Sequence, residues 1–217
     1  MIFENRYLAG EHLSIILKNK IQDLSDTIIL WILKWWAQVT YKLAEETWLN
    51  ATFLSIRPII IKNRKIWVIT QDWSTVYNKV LIWKLWIDPE EIKEKEKQIL
   101  EEVKFDKEKY DIHFKNFTWK QVIVVDDWVI SWLTAAAAWR YVKENWANRI
   151  ILATPVANSK LMEALKKFYN EIIVADAVED RNFALSKFYM SYYSLWSEDI
   201  YEIIHKLKDK QLRINNW

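Results

Sequence analysis

The stretch Val122-Ile123-Val124-Val125-Asp126-Asp127-Trp128-Val129-Ile130-Ser131-Trp132-Leu133-Thr134 decides how this chain is read. Four β-branched residues in a row predict a buried strand. Two acids close it, a short loop follows, and Ala135 to Ala138 open a helix. A strand that runs through a tight loop into a helix N-terminus makes an anion site, because backbone N–H groups and the positive end of the helix dipole meet there. Paired carboxylates beside such a site suit sugar hydroxyls, or a metal held next to the anion. Anion, diol and metal together describe a phosphorylated ribose.

Outward from that stretch, the first anomaly is compositional. The 217 residues contain 1 Gly and 15 Trp, whereas ordinary usage predicts roughly 15 glycines. The tryptophans also stand where glycine belongs. Trp48, Trp86 and Trp146 each close a helical pattern, at the position of a left-handed C′ residue. Asp72-Trp73 sits where Asp-Gly would turn a hairpin. Trp35-Trp36 pairs two indoles where a strand meets a helix. Trp is poorly suited to φ > 0. The pattern implies that most of these tryptophans stand for glycine, as they would if UGA codons that the source reads as glycine had been decoded as Trp.

The rest of the chain alternates strands with helices. Phe3 to Lys18 predicts an amphipathic helix with Leu8, His12, Ile15 and Ile16 along its apolar side. Thr27 to Ile32 predicts a buried strand that runs through Leu33-Lys34-Trp35-Trp36 into a helix over Ala37 to Glu46. With glycines restored, that junction is a cation beside a Gly-Gly turn, a second place where backbone can approach an anion closely. Ala51 to Arg57 predicts a strand, and Ile59 to Thr70 a basic excursion with Lys62, Arg64 and Lys65. Asp88 to Tyr110 predicts a charged helix with Pro89 in its first turn and a thin stripe of Ile92, Ile99 and Val103. Beyond the central stretch come a strand over Arg149 to Thr154, a helix over Ser159 to Phe168 and a buried strand over Glu171 to Ala175. A last helix spans Ser197 to Lys206 with Ser197 as N-cap, followed by a frayed tail. This alternation predicts an α/β fold: a doubly wound, mainly parallel sheet flanked by helices. Ligands in such sheets bind at the carboxyl ends of the strands, where Lys34, Asp126 and Asp176 fall. Asp126 and Asp127 are expected on a solvent-facing loop end.

Val122 to Thr134 resembles the PRPP-binding loop of type I phosphoribosyltransferases, with Trp128 and Trp132 at positions where that family carries glycine. Lys34-Trp35-Trp36 is similar to the family's pyrophosphate loop, where the basic residue is usually Arg. Asn5-Arg6-Tyr7-Leu8-Ala9-Gly10 resembles the opening helix of a bacterial subgroup, although a packing role suffices for it. The resemblance spans roughly Phe3 to Lys206. It implies one domain over residues 1–217 with a flexible hood inserted at about 57–118, formed in part by the basic excursion; a solvated basic hairpin is the plainer reading of that segment.

The same resemblance implies an activity: a Mg²⁺-dependent pentosyltransferase of nucleotide salvage. It would move the 5-phosphoribosyl group from PRPP to a nitrogen nucleophile, a nucleobase or amine, and release pyrophosphate. Asp126, Asp127 and Lys34 would be catalytic. Trp128, Val129, Ile130, Ser131, Trp132, Leu133 and Thr134 would bind PRPP, with the Ser131 and Thr134 hydroxyls on the 5′-phosphate. Leu33, Lys34, Trp35 and Trp36 would hold pyrophosphate. Asp126 and Asp127 would reach the metal through water or ribose hydroxyls. Ile130 holds the place where purine-salvage members carry an Asp, which argues against a 6-oxopurine acceptor. Phe183, Phe188 and Tyr189 are candidates to stack on an acceptor ring, with core packing the commoner role. The alternative from another class is a non-catalytic PRPP-binding regulatory protein. A P-loop hydrolase would need Gly-x-x-x-x-Gly-Lys, which is missing even after Trp→Gly replacement.

Composition narrows the remaining classes. Net charge is +2, so nothing favours nucleic acid or membrane as a partner. Cys is 0, which excludes disulfides and thiolate metal sites and fits a cytoplasmic enzyme. The N-terminal residues include Glu4 and Arg6 and no long apolar run, so no signal peptide is expected. The 3 His are scattered without ligand spacing. A homodimer is left open.

Overall fold

The computed structural model describes residues 1–33, 37–110, 116–129, 131–179, 184–191 and 196–214. In chain order the elements are α1 (Arg6–Lys20), β1 (Thr27–Leu33), α2 (Ala37–Thr47), β2 (Asn50–Ile61), β3 (Arg64–Thr70), β4 (Thr75–Tyr77), α3 (Lys79–Lys84), α4 (Pro89–Lys109), β5 (Gln121–Val125), β6 (Trp128–Val129), α5 (Trp132–Glu144), β7 (Arg149–Asn158), α6 (Ser159–Leu165), β8 (Glu171–Val178) and α7 (Ser197–Ile214).

The sheet is doubly wound and mainly parallel. β1 pairs in parallel with β2 on one side and β5 on the other. β7 pairs with β5 and β8, and β6 continues along the β5 edge of β7. Among the described strands only β3 and β4 pair antiparallel, added outside β2. Side chains alternate across each strand, and both faces are covered. Ile29, Trp31 and Leu33 of β1 face α1, α2 and α7 through Leu17, Leu43 and Ile203. Leu30 and Ile32 face α5 and α6 through Leu133, Tyr141 and Leu165. Because the chain leaves β1 toward β2 and returns on its other side at β5, the strand order reverses between them. Their carboxyl ends therefore frame the crevice where such sheets bind ligands.

Gly10 explains why the buried side of α1 is not the one its apolar residues suggest. A Cβ at Gly10 would lie 2.5 Å from the Val39 carbonyl oxygen of α2, so the two helices can cross closely only on that side. Ala9, Gly10, Leu13, Ser14 and Leu17 are buried, whereas Leu8 and Ile15 are exposed. Small residues and a tight crossing outweigh the larger aliphatics.

The basic excursion is a hairpin. Lys62 and Asn63 join β2 to β3 with φ of 49° and 57°, the two positive values that a type I′ turn needs. It is not merely solvated, because Ile59, Ile61, Ile66 and Trp67 bury a cluster of their own with Val103 of α4. Asp88 caps α4 by accepting from the Glu90 N–H. The same helix is fastened to β2 by Asp106, a buried carboxylate that takes two 2.6 Å bonds from Arg57 and one of 3.0 Å from Ser55.

Other boundaries shift where tertiary pairing extends an element. β2 and β7 run longer than predicted because both have partners beyond the parallel core. β8 continues to Val178 as an edge strand, with Ile173 its one buried residue. α6 stops at Leu165. α7 continues to Ile214, into the tail expected to fray. At its start Asp199 accepts the Trp196 N–H at 2.8 Å, in the manner of a capping box.

Among the described residues five tryptophans adopt left-handed backbone: Trp48 (φ 57°), Trp73 (69°), Trp86 (46°), Trp119 (65°) and Trp146 (67°). All five indoles are exposed. Trp73 turns β3 into β4, with its N–H on the Thr70 carbonyl. The sequence carries no such signal at Trp119, because no helical pattern precedes it. Trp31 and Trp67, by contrast, are wholly buried, and neither indole N–H has a hydrogen-bond partner among the described residues. An unpaired buried donor costs roughly 1–3 kcal/mol.

A left-handed residue with a Cβ costs roughly 1–2 kcal/mol. Replacing Trp48, Trp73, Trp86, Trp119 and Trp146 together by glycine is therefore expected to raise the melting temperature by roughly 10 °C. Trp83, equally exposed but inside α3, supplies the control: Trp83→Gly should lower stability by about 1 kcal/mol. Thermal unfolding of both variants is the check. Destabilisation by the five-site change would mean that these backbone turns do not call for glycine.

Candidate functional site

The ladder between β5 and β7 ends at Val125–Ala153, and the Asp126 N–H extends it by one bond to the Ala153 carbonyl at 3.2 Å. The two acids therefore leave the sheet while still inside it. Asp126 is 4 % exposed and Asp127 0 %, which overturns the expectation of a solvent-facing loop end. The physical reason is β6. Trp128–Val129 pairs with Val156–Ala157, so the chain stays on the sheet after the acids and seals them beneath it.

Each carboxylate faces one cation from a distant part of the chain. Arg6, the first residue of α1, is 2 % exposed and donates from Nε to Asp127 Oδ2 at 3.3 Å. Its guanidinium also lies 5.7 Å from the Tyr189 ring centroid. Lys65, near the start of β3, feels the charge of Asp126 and donates to Thr134 Oγ1 at 3.1 Å. Burial dominates the titration of all three. It pushes the Asp126 carboxyl up to about 7, against the opposing pull of Lys65 and of backbone N–H groups from Trp128 and Asp127. It raises Asp127 well above the carboxylate range, with Asp126 adding to the shift and Arg6 resisting it. It lowers the Lys65 ammonium. Asp126 Oδ1 and Asp127 Oδ1 are buried without a hydrogen-bond partner among the described residues.

α5 begins at Trp132, three residues before the alanine run suggested. Trp132, Leu133 and Thr134 are thus its first turn rather than loop, and their N–H groups are among those a helix leaves unsatisfied. Ser131 stands at the N-cap but makes no side-chain cap bond. The side chains divide between site and core. Val129 and Leu133 are buried in the core with Tyr141. Trp128 packs on the cluster of Phe3, Phe188 and Tyr189, and Trp132 packs against the α5 side of the sheet. Neither Trp128 nor Trp132 has positive φ. Phe188 and Tyr189 are core. Asp176 binds the Met1 ammonium. Leu33 ends β1 with its side chain in the core. Lys34, Trp35, Trp36, Ile130 and Phe183 lie outside the described residues.

Two residues of this site escaped sequence reasoning. Arg6 lay in a segment read as a packing helix, and Lys65 in a segment read as part of a flexible hood or as a solvated hairpin. Neither carries a local signal, since each acquires its partner only through tertiary approach. Among the described residues no three His, Cys, Asp or Glu side chains gather as a metal cluster. No helix among them is long and apolar enough to cross a membrane.

No protein-family model matches the chain, and no curated protein matches it. Among solved structures, the protein TT1426 from Thermus thermophilus is similar over 95% of this chain and 99% of that one, with a TM-score of 0.76 and 18% identity. That likeness is one of fold. A hypoxanthine phosphoribosyltransferase from Staphylococcus aureus aligns over 79% of this chain and 75% of its own, with a TM-score of 0.42 and 11% identity. A purine phosphoribosyltransferase from Pyrococcus horikoshii aligns over 82% and 95%, with a TM-score of 0.43 and 10% identity.

The raised Asp126 carboxyl has a signed consequence. A group whose pKa is higher in the folded than in the unfolded chain stabilises fully below the unfolded value, and that contribution is lost as pH rises through the folded value. Here the window runs from 3.8 to about 7. Asp126→Asn stays neutral throughout. Its stability relative to the parent should therefore climb across that window and level off near pH 8, at up to about 4 kcal/mol. Urea unfolding of both proteins at pH 5 and pH 8 measures it. A difference that does not change with pH would mean that Lys65 keeps Asp126 ionised in place.

Proposed function

We propose that this chain is a type I phosphoribosyltransferase that transfers the 5-phosphoribosyl group of PRPP to a nitrogen nucleophile and releases pyrophosphate. The observation that carries the reading is the pair of buried carboxylates at the strand-order reversal, each with one oxygen unpartnered among the described residues. Burying unpartnered carboxylate oxygens is costly, and two vicinal hydroxyls would supply two donors side by side. The N-terminus of α5, with no side-chain cap, follows within five residues, so an anion can sit at the other end of the same sugar.

In this reading Asp126 and Asp127 accept from the ribose hydroxyls and stabilise the positive charge that develops at C1 as its bond to pyrophosphate oxygen breaks and the bond to nitrogen forms. Arg6 orients Asp127. The N–H groups from Ser131 to Thr134 hold the 5′-phosphate. Lys34, Trp35 and Trp36 hold pyrophosphate, with Lys34 acting as a point charge rather than a bidentate fork. Mg²⁺ suits the donor set only indirectly. One oxygen of Asp127 is taken by Arg6 and Asp126 feels the charge of Lys65; the two Oδ1 atoms, unpartnered among the described residues, could reach a hydrated ion shared with substrate phosphates. When bound, such an ion supplies charge neutralisation on the leaving group.

The reading extends to the tryptophans. Five of those described stand in left-handed backbone, and Trp128 and Trp132 bracket the proposed phosphate loop. We take them as glycine positions of the natural protein, decoded from UGA. Sequencing the coding DNA tests this directly: UGG at these codons would end the idea.

Activity is tested by pyrophosphate release from PRPP across a panel of nucleobases and amines. The chain as written should be compared with a form carrying Trp35→Gly, Trp36→Gly, Trp128→Gly and Trp132→Gly. The glycine form should bind PRPP and turn over, and the written form should bind weakly. Adding Asp126→Asn with Asp127→Asn should cut turnover by about 10³-fold or more. Tight PRPP binding without release for any acceptor would favour the regulatory alternative, and undiminished release in the double variant would remove the proposed site.

A further inference from the structure

The three basic residues of the β2–β3 hairpin do not share one role. Lys62 donates from Nζ to the Leu85 carbonyl at 2.9 Å, which ties the turn to the end of α3. Arg64 is exposed. Lys65 alone turns inward, with its ammonium 3.1 Å from Thr134 Oγ1 in the first turn of α5.

That position is electrostatically unusual. The N-terminus of a helix carries positive potential, so it favours anions and disfavours cations. α5 is 13 residues long and has no side-chain cap. A partly buried ammonium here adds like charge to like, and the charge that answers it is the carboxylate of Asp126. That carboxylate is 4 % exposed and keeps Oδ1 unpartnered among the described residues. A cation, a hydroxyl and a helix N-terminus converge, each able to donate to the same anion. A ligand with a phosphate at one end and hydroxyls at the other would satisfy both the donors and the orphaned carboxylate.

We propose that Lys65 is the side-chain cation of the phosphate subsite, and that it binds the phosphomonoester end of the substrate together with Thr134 and the first-turn N–H groups of α5. The inference rests on the reading of Asp126 and Asp127 as a ribose site and assigns the hairpin a partner that differs from the leaving group. Lys65 then selects for a 5′-phosphorylated sugar over a free one. It also links the antiparallel extension of the sheet to substrate binding, because the ammonium reaches α5 from β3.

Isothermal titration calorimetry with ribose 5-phosphate, ribose and inorganic pyrophosphate tests this. The parent is whichever form, Trp or glycine at positions 35, 36, 128 and 132, binds ribose 5-phosphate more tightly. Lys65→Gln should weaken ribose 5-phosphate by about tenfold, the scale of one charge-assisted contact, and leave pyrophosphate within about twofold. Lys65→Arg should retain most of the affinity, which guards against a mere folding defect in the neutral variant. Unchanged ribose 5-phosphate binding in Lys65→Gln, or a loss confined to pyrophosphate, overturns the assignment while leaving the site itself standing. Failure of both forms to bind ribose 5-phosphate removes the ribose site, and the role of Lys65 with it.

Discussion

Two adjacent carboxylates sealed under the sheet impose a demand that the rest of the molecule meets. Removing a charge from water is costly unless a partner accompanies it, and Asp126 beside Asp127 adds to the cost, since a first charge makes the second harder to form. The compensation comes from two ends of the fold. Arg6 arrives on α1 from the start of the chain, and Lys65 arrives on β3 from the antiparallel extension. The acids thus depend on the correct docking of both. Losing one cation would push the carboxyl it supports still further toward its neutral form, so the charge state of the site depends on the fold.

The docking of α1 depends in turn on the chain's one glycine. Gly10 permits the close crossing with α2, and that crossing fixes the direction in which the first turn of α1 presents Arg6. On the opposite flank, Asp106 with Arg57 and Ser55 holds α4 onto β2, and β2 carries the hairpin that delivers Lys65. Two ordinary packing contacts therefore determine where the two cations lie. The hairpin packs on a cluster of its own that includes Ile59, Ile66 and Trp67, and that cluster anchors the strand that carries Lys65.

The tryptophans bear on the same point from the side of the backbone. Where φ is positive the chain incurs a conformational penalty for any side chain, and five indoles sit at such places in full view of solvent. Trp128 and Trp132 are different. Their backbone is ordinary strand and helix, and their indoles pack on clusters at either side of the loop. What the indoles occupy near the site is space, not strained conformation.

Periodicity and local chemistry were legible without the fold. Alternating strand and helix patterns implied the doubly wound sheet, since burial on two faces leaves continuous apolar strands such as Val122 to Val125. The strand–acid–helix order around Asp126 was legible for the same reason, as were the left-handed turns at Trp48, Trp73, Trp86 and Trp146. Tertiary structure alone decided the burial of the acids, because β6 is two residues long and pairs with the distant Val156–Ala157. It alone decided which side of α1 is buried, because a crossing distance depends on the partner helix. It alone brought Arg6 to Asp127 and Lys65 to Thr134, separations of 121 and 69 residues, which no local pattern of charge or hydropathy encodes.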